Sequence, residues 1–530
     1  MMEEGTDGSG TESGPEVTAR VLKGSAFILA SRIINAVSLF IVSVTLARYL
    51  GTDQYGLIAV ALGVAGMLEV IGALGMNEGS ARYIPYYQAK GQEDDVRRVI
   101  SINVTTKAGM AIMLATFLYL VAGLLAGFFD KDVETLMQIA AIVVGLNVLG
   151  GAFQSILRGF ERLPLMAVAN VVRDLVWSVT SIGLVVVADM GPEGALWGTV
   201  AGAVVFLVIA LAGMVIALRQ EVPQREPVEN RYDRRVVRDL VTFGVPVLLS
   251  RLMYRVFDWI GTYVVAFFGT VADVSIYNIA YGIVAVPLVL IKSIAIAMLP
   301  AMSRAYGEER LGLMQTLWTG SVKLILSLFM PLATMLMVLA GPAILLIYGE
   351  DYVPGASAVI ILAPYLFVRP VGLMSSQVLA AMARQDLILR VNVVSMVINL
   401  VLSIVLMPFI GIEGVALAVT ISFAVHSTMM YLFARSKAGV QMDHGAVTKI
   451  LVGSVVAMAV AGGLFLVTEP LGEAFLPLFL RLAVATLVAL GLYTYYIRQV
   501  RIFSEDEMEN VRSVAEESKL AGIILRLLGQ

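Results

Sequence analysis

Fourteen stretches of about 20 or more mostly apolar residues follow one another along this chain, each long enough to cross the roughly 30 Å hydrocarbon core of a bilayer as a helix. They run over 22–49, 54–75, 99–128, 135–157, 164–188, 194–218, 240–268, 274–300, 313–340, 356–382, 389–409, 413–434, 449–468 and 476–498. Lipid offers no hydrogen bonds to a backbone, so a spanning segment of this length satisfies its N–H and C=O groups only as a helix. The expectation is an all-α polytopic membrane protein. Composition agrees: 15% of residues are charged and the mean hydropathy is +0.86, against roughly 25% charged residues in soluble domains. With no cysteine, disulfides, thiolate metal sites and cysteine nucleophiles are excluded. Residues 1–20 are acidic and rich in Gly, Ser and Thr, the opposite of a signal peptide, and read as a disordered cytoplasmic tail.

Charge asymmetry gives the orientation. With the amino terminus inside, the outward loops near 51, 130, 190, 271, 345, 411 and 471 contain Lys131 as their one basic residue. Of the 37 Lys and Arg, ten fall within or at the edge of spans and 26 remain on the inward side, which places both termini in the cytoplasm.

The polar loop 220–239 follows six spans and invites a search for a repeat. Ser31-Arg32 matches Ser250-Arg251, Leu50-Gly51-Thr52 matches Phe268-Gly269-Thr270, Asn170-Val171-Val172 matches Asn392-Val393-Val394, and Gly191-Pro192-Glu193-Gly194 matches Gly411-Ile412-Glu413-Gly414, with offsets between 218 and 222. The expected organisation is an N-lobe at 21–219 and a C-lobe at 240–436, two pseudo-symmetric six-helix bundles in parallel orientation, with the substrate path between them. Two extra helices follow at 437–500, then an amphipathic cytoplasmic helix at 501–530.

Charges inside spans mark function, since a central charge costs about 3 kcal/mol even on the lenient insertion scale. Arg251, Arg255 and Asp258 are spaced to share one face of the seventh span. The repeat pairs Arg251 with Arg32, and guanidinium forks match phosphate oxygens. Lys292 and Arg369 add buried cations that extend the candidate binding site for the anionic headgroup. An internal Arg255–Asp258 ion pair is the structural alternative, and it leaves Arg251 and Arg32 without partners. Glu69, Asp174 and Asp258 are the candidates for a coupling proton or sodium ion. Arg173 and Asp174, as sequence neighbours, are expected on different helix faces and not paired. Lys107 and Arg481 lie near span ends and are expected to snorkel, while Lys323 is open. His426 and His444 lack metal-ligand spacing, and nothing calls for a cofactor or metal. Short outward loops and the absence of phosphate-cradling or nucleophile-elbow motifs argue against an enzyme.

The run from Leu46 to Asp95 resembles the first helical hairpin of the polysaccharide flippase family, with Leu-Gly-x-x-x-Tyr-Gly at Leu50 to Gly56 and Leu74-Gly75 followed by Ala81-Arg82-Tyr83. The motif Ile347-Tyr348-Gly349-Glu350-Asp351-Tyr352 is similar to the same family. The resemblance implies the multidrug, oligosaccharidyl-lipid and polysaccharide exporter superfamily, hence a non-enzymatic transporter that moves a polyprenyl-(pyro)phosphate-linked oligosaccharide between leaflets by alternating access. It implies that Arg32, Arg251, Arg255 and Lys292 receive the anionic headgroup. A monomer suffices, and no nucleic acid is involved. An organic-cation antiporter of the same superfamily is the alternative, disfavoured by the excess of buried cations over acids, and a membrane glycosyltransferase or polymerase comes third.

Overall fold

The computed structural model describes residues 14–129, 132–221, 233–472 and 474–503. The side chains of residues 14–33, and those of Ser250, Arg251, Tyr254, Asp258, Val289, Leu290, Ser293, Ile296, Ala297 and Leu471, are not among those described. The amphipathic helix expected after 503, most of the tail 1–20, and the centre of the 220–239 loop therefore lie outside the described residues.

Every long element is helical. In order they are α1 (Gly14–Ala73), α2 (Met76–Ala89), α3 (Glu93–Phe129), α4 (Glu134–Gly159), α5 (Leu163–Ile182), α6 (Gly191–Glu221), α7 (Arg234–Phe268), α8 (Val271–Gly307), α9 (Leu311–Ile347), α10 (Gly355–Leu362), α11 (Tyr365–Ala381), α12 (Gln385–Ala438), α13 (His444–Val467) and α14 (Phe475–Val500). Large apolar side chains stand on the outside: Val187 is 85% exposed and Phe409 82%. That is the inverse of a water-soluble surface and suits lipid. Among the described residues ten helices are long and apolar enough to cross a membrane, or eleven if α10 and α11, bent by 40°, form one span.

The count differs from fourteen because helices are longer and fewer than the apolar runs. At 1.5 Å per residue, the 60-residue α1 would extend about 90 Å if straight, three times the hydrocarbon thickness. It breaks at Gly51 (φ 71°, ψ −178°), inside the expected loop between the first two spans. The 54-residue α12 breaks at Ile410 and Gly411 (φ 63°, ψ −146°), between the eleventh and twelfth. In α7 the side chains of Ser250, Arg251, Tyr254 and Asp258 lie outside those described, and Trp259–Phe268 is the apolar stretch counted there. One helix was not anticipated at all: α2 occupies part of an expected inward loop. It starts after Gly75 (φ 67°), where a Cβ would lie 1.9 Å from the Gly244 carbonyl oxygen. That close approach is what the Leu74-Gly75 motif provides.

The chain packs as two compact units. The first comprises Met1–Leu46, Ala65–Gly123 and Glu134–Leu249. Its core joins Ile84, Val96, Phe153, Ile156, Phe206 and Leu240. Where α5 and α6 cross, a Cβ on Gly198 would lie 2.2 Å from Ser181 Oγ, so glycine permits the contact. Asn103 Nδ2 donates to Ser80 Oγ (2.6 Å) and Ser155 Oγ (2.9 Å), joining three helices through a buried polar knot.

The second unit comprises Ala47–Val64, Leu124–Val133 and Ser250–Gln530. Buried Trp318 stacks on Tyr431 and donates its indole N–H to Ser375 Oγ (3.2 Å). Helix α13 packs on α9, with Thr334 Oγ1 donating to the Ser454 carbonyl (3.0 Å) and Lys323 paired to Asp443 (2.7 Å), which resolves the open role of Lys323. Two of the motifs that carried the family resemblance meet here. Arg48 donates to the Ile347 carbonyl (2.7 Å) and to that of Leu346, capping the end of α9. Tyr352 donates its hydroxyl to the Ala47 carbonyl (3.2 Å), and Gly56 lacks the Cβ that would collide with the Val271 carbonyl.

Candidate functional site

Cations that lack a counter-charge lie in the second unit. Arg255 is half-buried on α7, with Cζ 4.5 Å over the Trp259 ring one turn on. Tyr263, one further turn along, donates its hydroxyl to the Gly63 carbonyl (2.8 Å) and fixes that face of the helix. Among the described residues Arg255 makes no ion pair, and its Nε is buried without a hydrogen-bond partner. Arg251 and Asp258, one turn to either side, have side chains outside those described, as does Arg32. Lys292 on α8 is half-buried and has a polar partner.

Arg369 on α11 is 6% exposed. Its Cζ lies 4.8 Å from the Phe423 ring centroid and 6.0 Å from that of Tyr365. Among the described residues its guanidinium has no hydrogen-bond or ion-pair partner, and Nε is fully enclosed. Cation–π attraction contributes up to about 2 kcal/mol when desolvated, whereas an uncompensated buried ion costs several kcal/mol.

Two acids inside the first unit, Glu69 and Asp174, are held by polar partners. Glu69 accepts from Asn147 Nδ2 at 2.7 Å. Asp174, 3% exposed, accepts from Asn35 Nδ2 (2.9 Å) and from Arg173 through Nε and Nη2 (2.9 Å each). The Arg173–Asp174 pair corrects the expectation from sequence: the long arginine stem folds back across the helix surface to its neighbour, while its Cζ sits 5.3 Å over Phe206. Lys107 also departs from expectation. It is 1% exposed and does not snorkel; its Nζ donates to Asn77 Oδ1 (2.6 Å) and the Val148 carbonyl (3.3 Å). In the second unit Arg481, 3% exposed, donates to the Gly472 and Phe465 carbonyls, tying α13 to α14 at their shared end.

Sequence reasoning passed over His426 because it lacks metal spacing. It is 6% exposed, its Nε2 lies 3.1 Å from Asn392, and its Nδ1 is buried without a partner. Its position three residues after Phe423, on the face that meets Arg369, was the available signal.

An all-helical bundle with polar and ionised groups inside its helices defines a multi-pass membrane transporter. The chain belongs to the polysaccharide biosynthesis protein family, which matches residues 21–306, and the MatE family matches residues 246–405, placing it in the multidrug, oligosaccharidyl-lipid and polysaccharide exporter superfamily. It is 20% identical over 446 residues to a Haloferax volcanii protein described as "Probable low-salt glycan biosynthesis flippase Agl15", covering 84% of this chain and 90% of that one. Its fold is similar to the inward closed conformation of a lipid II flippase, MurJ (TM-score 0.71, 15% identity, 90% of this chain and 99% of that one). It is also similar to an inward-facing multidrug resistance MATE family transporter (TM-score 0.66, 17% identity, 78% and 96%).

Proposed function

We propose that this chain is a flippase for a polyprenyl-phosphate-linked or polyprenyl-pyrophosphate-linked oligosaccharide, carrying it from the inner to the outer leaflet for glycan biosynthesis. The observation that carries the reading is Arg255, held in a span over Trp259 with no ion pair among the described residues. A cation kept in that state suits an arriving anion better than an internal salt bridge. The headgroup engages Arg32, Arg251 and Arg255, with Lys292 contributing, and alternating access exposes it outside while the lipid tail stays in the bilayer. Asp174, Glu69 and Asp258 are the candidate sites for a coupling proton or sodium ion.

Several features support the finer architecture. Counting α1 and α12 as two spans each, α10 with α11 as one, and α7 as one returns fourteen. Helices α3 and α9 are both 37 residues long and start 218 residues apart. Left-handed turn residues recur at matching offsets: Gly91 and Glu309 (218), Glu161 and Ala383 (222), Gly191 and Gly411 (220). The first two pairs close the same six-residue turn, with Gln92 bonded to Tyr87 and Arg310 to Ala305, Arg162 to Leu157 and Arg384 to Leu379. This pattern favours a parallel repeat with both termini cytoplasmic.

The antiporter reading draws on the buried acids Glu69 and Asp174. One assay separates the two: leaflet exposure of a fluorescent polyprenyl-pyrophosphate oligosaccharide in proteoliposomes, with wild type, Arg251→Ala, Arg255→Ala and empty vesicles. Flipping that needs the protein and both arginines supports the flippase. No flipping by wild type, with accumulation of an organic cation under a proton or sodium gradient, supports the antiporter.

A further inference from the structure

The surroundings of Arg369 describe what it lacks. A guanidinium carries five N–H donors and no acceptor, and none of those on Arg369 meets a partner among the described residues. The Phe423 and Tyr365 rings attract its charge but accept none of its hydrogen bonds conventionally. Phe423 is itself bracketed by Tyr365 (centroids 4.3 Å apart) and Phe257 (4.5 Å, edge-on), so aromatic rings wall this part of the second unit.

His426 lies against the same ring, at 6.0 Å between centroids. An amide's oxygen and nitrogen occupy interchangeable positions. His426 Nε2 lies 3.1 Å from Asn392 Oδ1, and turning that amide moves the imidazole proton to Nδ1, which is buried and without a partner. Arg369 and His426, each 6% exposed, both lie against Phe423, and among the described residues no carboxylate is bonded to either. Arg369 also follows by one turn the 40° bend between α10 and α11, and discontinuous helices are where transporters build ion sites.

We propose that Arg369 and His426 hold a small inorganic anion of the halide class inside the second unit, at a site separate from the arginines of α1 and α7 that receive the headgroup. The enclosure decides the size: a single halide, or one oxygen of a phosphate, satisfies the same donors, but a group 6% exposed behind aromatic rings admits the halide more readily than a sugar phosphate. The anion neutralises the guanidinium and lets the bent helix keep it within the bilayer.

The test uses the full-length chain purified in detergent without lipid-linked substrate, exchanged into gluconate and titrated with sodium chloride at constant ionic strength. Chloride and bromide should raise the thermal midpoint saturably. Arg369→Gln should weaken half-saturation by at least about tenfold, the scale of a lost charge-assisted hydrogen bond, and His426→Gln by less. Wild-type crystals grown in bromide should show an anomalous peak within hydrogen-bond distance of the Arg369 guanidinium. If Arg369→Gln does not fold, Arg369→Lys, which keeps the charge but loses the fork, and the wild-type bromide peak carry the test. Absence of a saturable halide effect in wild type, a bromide peak absent from Arg369, or an unchanged half-saturation in a folded Arg369 variant overturns the proposal. Displacement of the halide by a short-chain prenyl phosphate at lower concentration also overturns it, assigning Arg369 to the headgroup. Lipid flipping is not read in this assay, so its failure leaves the flippase reading standing, and the reverse also holds.

Discussion

Asn147 and Arg369 are separated by 222 residues, the offset that joins Glu161 to Ala383, and they have opposite fates. Asn147 sits in α4, a single 26-residue helix, and donates to Glu69. Arg369 sits beyond a 40° bend at Ala363 and Pro364, among aromatic rings and without a polar partner among the described residues. In the first unit Glu69 and Asp174 are thus held by amides and by Arg173, while in the second Arg369 has no polar partner among the described residues, although Lys323 and Arg481 there are satisfied. If the proposed repeat holds, the difference teaches that two corresponding segments can be specialised by charge alone, one for internal cohesion and the other, on the proposal above, for an anion.

The largest expected effect tests cohesion. Asp174→Ala leaves Arg173 and Asn35 without their acceptor and should destabilise the protein by about 3–5 kcal/mol, read as a lowered midpoint of unfolding in detergent, whereas Asp174→Asn should lose less. Stability equal to wild type in Asp174→Ala would remove the contrast between the units. Arg255→Ala should do the opposite, slowing flipping by roughly ten- to a hundredfold, the equivalent of one charge-assisted interaction, with a thermal midpoint close to that of wild type, since Arg255 makes no ion pair among the described residues. A fall in stability that matches the fall in transport would recast Arg255 as structural.

A smaller effect probes the packing between α5 and α6. Gly198→Ala should cost about 1–3 kcal/mol by overpacking against Ser181. The position 220 residues on is already Ala418, fully buried, so Ala418→Gly should create only a methyl-sized void and cost less than about 1.5 kcal/mol. The smallest effect is that of Glu69→Gln, whose side chain still accepts from Asn147 and should change stability by less than about 1 kcal/mol. If Glu69 binds the coupling ion, the same variant loses the dependence of transport on a proton or sodium gradient, and an unchanged dependence removes Glu69 from that role.

Much of this fold was legible in the sequence because spanning helices announce themselves as apolar runs. What those runs hide is backbone continuity: Gly51 and Gly411 break helices that otherwise run on, so an expected loop is a single strained residue. Helix α2 was illegible for the reverse reason, its polar residues matching those of a loop. At the site, the charged residues themselves were legible, since lipid makes them conspicuous. Their partners were not. Spacing placed Arg173 and Asp174 apart, yet a flexible stem joined them, and the snorkelling expected of Lys107 gave way to Asn77, a partner 30 residues away. The aromatic enclosure of Arg369 is a property of three helices at once, α7, α11 and α12, and no single stretch of sequence carries it.

The glycine breaks have a practical consequence for mapping which side of a membrane each part of the chain faces. An epitope tag or protease site placed at Gly51 or Gly411 would have to be inserted where the chain passes from one helix into the next without an intervening loop, and it would report a damaged protein. The exposed left-handed residues Gly91, Glu309 and Ala383 each lie in a three-residue turn that separates two helices. Reporters belong there, and all three should light up from the same compartment.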